Sequence, residues 1–264
     1  MQNNSKSPWF IRFNQNPSAS VRLFCFPYAG GNASIFEPWA KALRAIDVVA
    51  VQLPGRGVRF AERPLESMAD IVAAFVDAFQ HLSRLPFAIF GHSNGALIGF
   101  EVARELQRRG NRDLKHIFLS AAKAPHLSRG REKTYDLPYD EFIEELRSIK
   151  GTPEEILKNN SLMALVVPAL RADFKINQTY HYVPDIRLSA SASLFTGLRD
   201  VAISDADMLA WQENIASSNV GYKVFQGDHF FIHSHQQMIL DEVHLVLEQL
   251  QHAYLAEQSH DVPA

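Results

Sequence analysis

Short apolar runs alternate with longer stretches of helical periodicity along most of the chain. Val21 to Phe26 reads as a strand and ends at Pro27-Tyr28-Ala29-Gly30-Gly31-Asn32, a turn whose glycines can take unusual backbone angles. Ser34 is placed to cap a helix through Phe36, Trp39 and Leu43. A second strand is expected over Asp47 to Leu53, stopped by Pro54-Gly55-Arg56-Gly57. From Ser67 to Leu82, Met68, Ile71, Val72, Phe75, Phe79 and Leu82 fall on one helical face. Phe87 to Phe90 is a third strand, and the helix after it runs from Ala96 to about Arg109, where Gly110 stops it. His116 to Ser120 is a fourth strand. Further on, Ala190 to Thr196 and Gly221 to Gln226 read as strands, with helices over Asp205 to Ile215 and Ser234 to Tyr254. The tail from Gln258 is expected to fray.

Strands that alternate with helices imply right-handed crossovers and a mostly parallel sheet flanked by helices, with ligands bound beyond the carboxyl ends of the strands. The fold class is therefore α/β, and residues 1–264 are expected to form a single domain. The rhythm breaks over residues 125–185, where helical periodicity continues without a convincing strand. Helices are expected over Asp140 to Ile149, Pro153 to Leu157 and Leu162 to Phe174, with Gly151 as a breaker and Pro168 as a kink. An all-helical insertion in such a chain reads most economically as a lid over the functional edge of the sheet. The alternative is a helical layer with no gating role.

An apolar content of 47%, a charged content of 21% and a net charge of −3 describe an ordinary globular chain, and the absence of a basic excess argues against a nucleic-acid partner. The polar N-terminus lacks the apolar run of a signal peptide, and no segment approaches a membrane span, so a cytoplasmic protein is expected. Cys25 is the only cysteine, which excludes an internal disulfide and fits a reducing compartment. It lies in an apolar run and reads as a buried, inert thiol.

The candidate chemistry centres on Gly91-His92-Ser93-Asn94-Gly95, which joins the third strand to the following helix. A serine in such a turn projects its hydroxyl beyond the sheet, and glycines two residues to either side let strand and helix meet closely. Ser93 is the candidate nucleophile. It needs a histidine within hydrogen-bond reach and a carboxylate to fix that histidine's tautomer. Asp200 and His229 each come directly after an expected strand, so both belong at the same sheet edge as Ser93, in the chain order Ser, Asp, His. Of the other histidines, His233 and His235 read as solvated or capping and His92 as packed. His81, His116, His126, His181, His244, His252 and His260 have no strand-end placement. Asp205 and Asp207 read as helix-start carboxylates.

An acyl substrate would also need backbone N–H groups aimed at its developing oxyanion. Asn94 should supply one, and Ala29 in the glycine-rich loop the other. No spacing suggests a metal site, the glycine-rich loop lacks the lysine of a phosphate loop, and no cofactor is indicated. Arg56, Arg59 and Arg63 read as a solvated cluster able to meet an acidic partner.

With these residues assigned, the chain resembles the type II (external) thioesterases of nonribosomal peptide and polyketide synthase systems, members of the α/β-hydrolase superfamily. The resemblance spans nearly the whole chain and is carried by Phe26-Pro-Tyr-Ala-Gly-Gly31, Leu53-Pro-Gly-Arg56, Gly91-His-Ser93, Pro168-Ala-Leu-Arg-Ala-Asp-Phe174, Gly197-Leu-Arg-Asp200 and Gly227-Asp-His-Phe-Phe231. It implies hydrolysis of stalled or misloaded acyl groups from the phosphopantetheine thiol of acyl or peptidyl carrier proteins, an editing role in antibiotic or siderophore biosynthesis. The phosphopantetheine would belong to the carrier, not to this chain as a cofactor, and the enzyme is expected to be a monomer. One departure is visible: Asn94 stands where these enzymes often have methionine, and its polar side chain bears on acyl preference or rate. The rival readings are a general carboxylesterase or product-releasing acyl hydrolase of the same fold, and a non-catalytic binding protein.

Overall fold

The structure of the protein, a computed structural model, describes residues 7–128, 133–149 and 154–260. The strands in chain order are β1 (Phe10–Ile11), β2 (Arg22–Phe26), β3 (Asp47–Val51), β4 (Phe87–His92), β5 (Leu114–Ser120), β6 (Ser191–Gly197) and β7 (Val220–Phe225). They lie in the order β1-β3-β2-β4-β5-β6-β7, with β1 antiparallel to β3 and the remaining neighbours parallel. The two-residue β1 is too short to carry an alternating pattern, so the sequence pattern does not predict it; the other strands form within one or two residues of their expected ends. Every residue of β2, β3 and β4 is buried, as expected of parallel strands covered on both faces. Alternate side chains feed two cores: Phe24, Phe26, Val49 and Ile89 on one face, Leu23, Cys25, Val48 and Phe90 on the other. Burial raises the Cys25 thiol pKa well above its ordinary value, consistent with an inert thiol.

The helices are α1 (Glu37–Ala42), α2 (Met68–Phe79), α3 (Asn94–Arg108), α4 (Tyr139–Ile149), α5 (Glu154–Leu157), α6 (Asn160–Thr179), α7 (Asp205–Leu209), α8 (Phe231–Ser234) and α9 (Gln236–His260). The first differs from expectation at its start. Asn32, not Ser34, is the cap: its side chain accepts from the Ser34 N–H at 2.8 Å, and a 3-10 turn over Ala33–Phe36 precedes α1. An extended asparagine two residues upstream simply reaches the free amide first. The expected helix from Asp205 divides into α7 and a 3-10 turn, Ala210–Asn214. At the C-terminus α9 stays helical to His260, so the beginning of the expected frayed tail is ordered; residues 261–264 lie outside the described residues.

Between β5 and β6 no strand occurs among the described residues, and the expected breaker Gly151 lies outside them. Asn159 caps α6, which contains Pro168 in its interior and extends beyond both expected ends. Phe142, Ile143 and Leu146 of α4, Leu157 of α5 and Met163, Val167 and Leu170 of α6 form a third, separate core.

Backbones approach closely where β2, β4 and the start of α3 meet. A Cβ on Gly91 would lie 2.3 Å from the Gly95 carbonyl oxygen, and one on Gly95 2.3 Å from that of Phe26 and 2.5 Å from that of Pro27. These obstacles are backbone and cannot swing aside. Gly95→Ala is therefore expected to lower unfolding free energy by about 1–3 kcal/mol, measured by chemical denaturation; wild-type stability would show that the close approach is not constraining.

Candidate active site

Ser93 sits between β4 and α3 with φ 54° and ψ −120°, a conformation unusual for a residue with a side chain. The turn is held by Ser93 N–H to Ser120 carbonyl (2.7 Å) across to β5, and by Ala96 N–H to Ser93 carbonyl (3.0 Å). Although Ser93 occupies the N-cap position of α3, its hydroxyl caps no helix amide. It lies instead 2.9 Å from His229 Nε2, and His229 Nδ1–H donates to Asp200 Oδ2 at 2.7 Å. The Asp200 side chain is fully buried, and its other oxygen accepts from the amides of Ala202 (2.8 Å) and Ile203 (3.2 Å). This saturation fixes the carboxylate, which fixes the imidazole tautomer and leaves the Nε2 lone pair facing the serine hydroxyl.

The loops carrying Asp200 and His229 are joined directly. Leu198 N–H donates to Phe225 carbonyl (2.8 Å) and Arg199 N–H to Gly227 carbonyl (2.8 Å), so the ends of β6 and β7 share one path. His92 adds a brace that sequence reasoning missed. Its Nε2–H donates to the His229 backbone carbonyl (2.8 Å), which obliges Nδ1 to accept from the Ser120 hydroxyl (2.9 Å). A packed residue is thus also a tie between the elbow and His229. Burial first, and the neighbouring His229 second, push the His92 pKa well below its ordinary value.

The expected oxyanion residues flank this arrangement. Tyr28 carbonyl accepts from Gly31 N–H (2.9 Å), closing a turn around Ala29 and Gly30, with Gly30 at φ 76°. Gly30 N–H donates to Asp173 Oδ2 of α6 (2.7 Å), whereas among the described residues the amides of Ala29 and Asn94 meet no acceptor within the protein. The Asn94 side chain is buried and faces α6, donating to the Asp173 carbonyl (3.4 Å) and accepting from Asn177 Nδ2 (3.3 Å).

The arginine cluster departs from expectation. Arg56 and Arg59 are only 6% and 7% exposed. Arg56 forms a bidentate pair with Asp173; Arg59 pairs with Glu62, donates to the Gln52 carbonyl and lies 4.7 Å from the Trp9 ring centre. Arg56 found a buried carboxylate and Arg59 an exposed one, and of the three arginines only Arg63 is on the surface. The remaining candidates sit away from the triad: Asp207 joins Ser204 in a capping box, Asp205 accepts from the Tyr222 hydroxyl, and His126 bonds Asn214. His233 Nε2 is 2.7 Å from the Tyr28 hydroxyl, at the rim. Among the described residues no group of three His, Cys, Asp or Glu could hold a metal ion, and no helix is long and apolar enough to cross a membrane. A cavity of about 820 Å³ opens between α2, α3 and α6, but none of Ser93, Asp200 and His229 lines it.

Comparison with known proteins places the chain in a family. The family model described as a thioesterase domain matches residues 21–247. The gramicidin S biosynthesis protein GrsT of Aneurinibacillus migulanus is 38% identical over 234 residues, covering 88% of this chain and 91% of that protein. Thioesterase PikA5 of Streptomyces venezuelae is 34% identical over 239 residues, covering 89% and 84%. Among solved structures, the type II thioesterase BorB from the borrelidin biosynthetic cluster has a TM-score of 0.83 at 33% identity, covering 90% of this chain and 97% of that one.

Two buried histidines make stability depend on pH. Burial lowers the His116 pKa to about 4, and His92 is also held well below the usual value near 6.5. Their folded-state pKa values are depressed, so each contributes stability above pH 6.5 that is lost as pH falls, by at most about 1.4 kcal/mol per pH unit per histidine. Unfolding free energy is expected to decline between pH 6.5 and 4, and His116→Gln to flatten that decline. An unchanged slope in the variant would contradict the assignment.

Proposed function

The chain belongs to the thioesterase domain family and has the α/β-hydrolase fold, and on that basis we propose that it removes acyl groups from the phosphopantetheine thiol of carrier proteins in a nonribosomal peptide or polyketide synthase system, with Ser93, His229 and Asp200 as nucleophile, base and orienting acid. The observation that carries the catalytic part is the continuous hydrogen-bonded chain from the Ser93 hydroxyl through His229 to Asp200. The carrier-protein part draws on the relatives, one named for gramicidin S biosynthesis and one for the borrelidin cluster.

His229 Nε2 takes the Ser93 proton as Oγ attacks the thioester carbonyl. Negative charge collects on the carbonyl oxygen, and the amides of Ala29 and Asn94, which have no internal acceptor among the described residues, receive it. The tetrahedral intermediate collapses, the C–S bond breaks, and the proton on His229 passes to the departing thiolate. Water then attacks the Ser93 ester with His229 again as base, releasing the free acid and restoring the serine. Asp200 holds the imidazole throughout. The pantetheine arm arrives with the substrate, so the chain itself requires no cofactor. All three residues come from one chain, so a monomer suffices, and a lone buried thiol suits the cytoplasm.

Residues 125–185 serve as the lid in this reading. Their separate core lets α4, α5 and the adjoining part of α6 shift without disturbing the cores that flank the sheet.

The reading is tested by hydrolysis of matched acetyl, medium-chain and aminoacyl thioesters on a phosphopantetheinylated carrier protein and on free pantetheine. Faster turnover on the carrier is expected, abolished by Ser93→Ala and reduced on the order of 10³- to 10⁴-fold by Asp200→Asn. Equal turnover of the two thioesters, or a preference for oxygen esters, would leave a serine hydrolase without carrier recognition.

A further inference from the structure

Asp173 lies on α6, outside the triad, and is 1% exposed. Its oxygens are spent on the neighbours of the reacting serine. Oδ2 accepts from the Gly30 N–H at 2.7 Å and from Arg56 Nη1, Oδ1 accepts from Arg56 Nη2 at 2.9 Å, and the backbone carbonyl accepts from Asn94 Nδ2 at 3.4 Å. Gly30 is adjacent to Ala29, and Asn94 comes directly after Ser93. One residue therefore touches both stretches of chain that carry the expected oxyanion amides.

The turn explains why this contact has consequences. In a four-residue turn the middle peptide is the free one, and its two orientations separate the common turn types. Here Gly31 N–H to Tyr28 carbonyl (2.9 Å) closes Tyr28-Ala29-Gly30-Gly31, and Gly30 at φ 76° places the middle peptide in one orientation. The Asp173 carboxylate grips the N–H of that peptide through a charge-assisted bond. Both peptide planes flanking the Ala29 Cα are then fixed, and so is the direction of the Ala29 amide. Leu170, one turn earlier on α6, closes the same site: a Cβ on Gly30 would lie 2.5 Å from its Cδ2.

A buried ion pair is weak evidence for stability, because a well-packed apolar pair of similar volume is often as good. What an apolar residue cannot do is accept from Gly30. We propose that Asp173, held by Arg56, is a positioning residue for the oxyanion hole, which sets the Ala29 amide relative to the Asn94 amide and ties the hole to α6. This rests on the reading of Ser93 as the nucleophile.

The test compares two double variants that both remove the buried charges. Arg56→Met with Asp173→Asn keeps an oxygen for Gly30, and Arg56→Met with Asp173→Leu does not. Hydrolysis of p-nitrophenyl acetate reports the machinery independently of the natural substrate, and inhibition by an alkyl boronic acid, which forms a tetrahedral adduct on serine, reports the hole. The leucine variant is expected to lose kcat about 100-fold with KM within about threefold and the boronate Ki raised in parallel; the asparagine variant should regain at least tenfold. Equal kcat in the two variants, or kcat within threefold of wild type in the leucine variant, would overturn the proposal. Should the leucine variant not fold, Asp173→Glu keeps the charge pair but moves the carboxylate by a methylene, and wild-type boronate affinity there would overturn it equally. Wild-type enzyme that cleaves the ester through Ser93 but spares carrier thioesters sinks the substrate reading and leaves this one standing; ester cleavage that survives Ser93→Ala sinks both.

Discussion

A serine held at φ 54° is the constraint on which the rest of the site depends. Such a residue costs of order 1–3 kcal/mol and persists only where its surroundings over-determine it. Here β4 is paired on both sides, the Ser93 amide is fixed to β5, and the glycines at 91 and 95 leave no space for another path. The first turns of α3 are buried, so the helix cannot slide to relax the turn. The same distortion that costs stability turns the hydroxyl away from the amides it would cap and toward His229. Local strain and the Ser93–His229 contact are one feature.

The parallel sheet supplies the partners at little further cost. Strands β4, β6 and β7 run in the same direction, so the segments after them emerge at one edge. Ser93, Asp200 and His229 lie just past β4, β6 and β7, and the intervening β5 contributes Ser120, which bonds both the elbow and His92. Polar groups buried at this edge need partners, and each partner acquired is also a positional restraint. Asp200 accepts from three donors; His92 ties the His229 loop to the elbow.

Most of this architecture is legible in the sequence because it depends on local signals. Continuous apolar runs mark the doubly covered strands, and Gly-x-Ser-x-Gly between strand and helix marks the elbow. Asp200 and His229 are legible because each stands just past the end of an apolar run. The features that escape depend on pairings distant in sequence. Arg56 and Asp173 are separated by 117 positions, and Arg56 alone reads as a surface charge. Nothing near Arg56 announces that a carboxylate from a helical insertion will arrive beside it. The His92 side chain reads as packing because its polar partners, Ser120 and the His229 carbonyl, come from 28 and 137 positions away. Asn32 displaces Ser34 as a cap for a smaller reason: two nearby candidates compete, and backbone angle decides between them.

The insertion is bound to the hydrolase body unevenly, and this bears on how a lid could move. Beyond Pro168, α6 is anchored by Asp173 to Arg56 and Gly30, by Lys175 to Glu66, and by Asn177 to Asn94. Before it, Met163 and Val167 pack within the third core, and Leu162 and Leu165 are exposed. Pro168 marks the boundary, since it has no N–H to give the carbonyl one turn earlier. Lifting all of α6 would strand a buried arginine and a buried carboxylate, each far more costly unpaired than paired. Bending near Pro168 breaks neither, at the cost of the contacts that Leu170 and Phe174, beyond the proline, make with the third core. On the proposed reading, access for a long acyl arm and constancy of the Ala29–Gly30 loop then cease to conflict, because they fall to opposite ends of one helix.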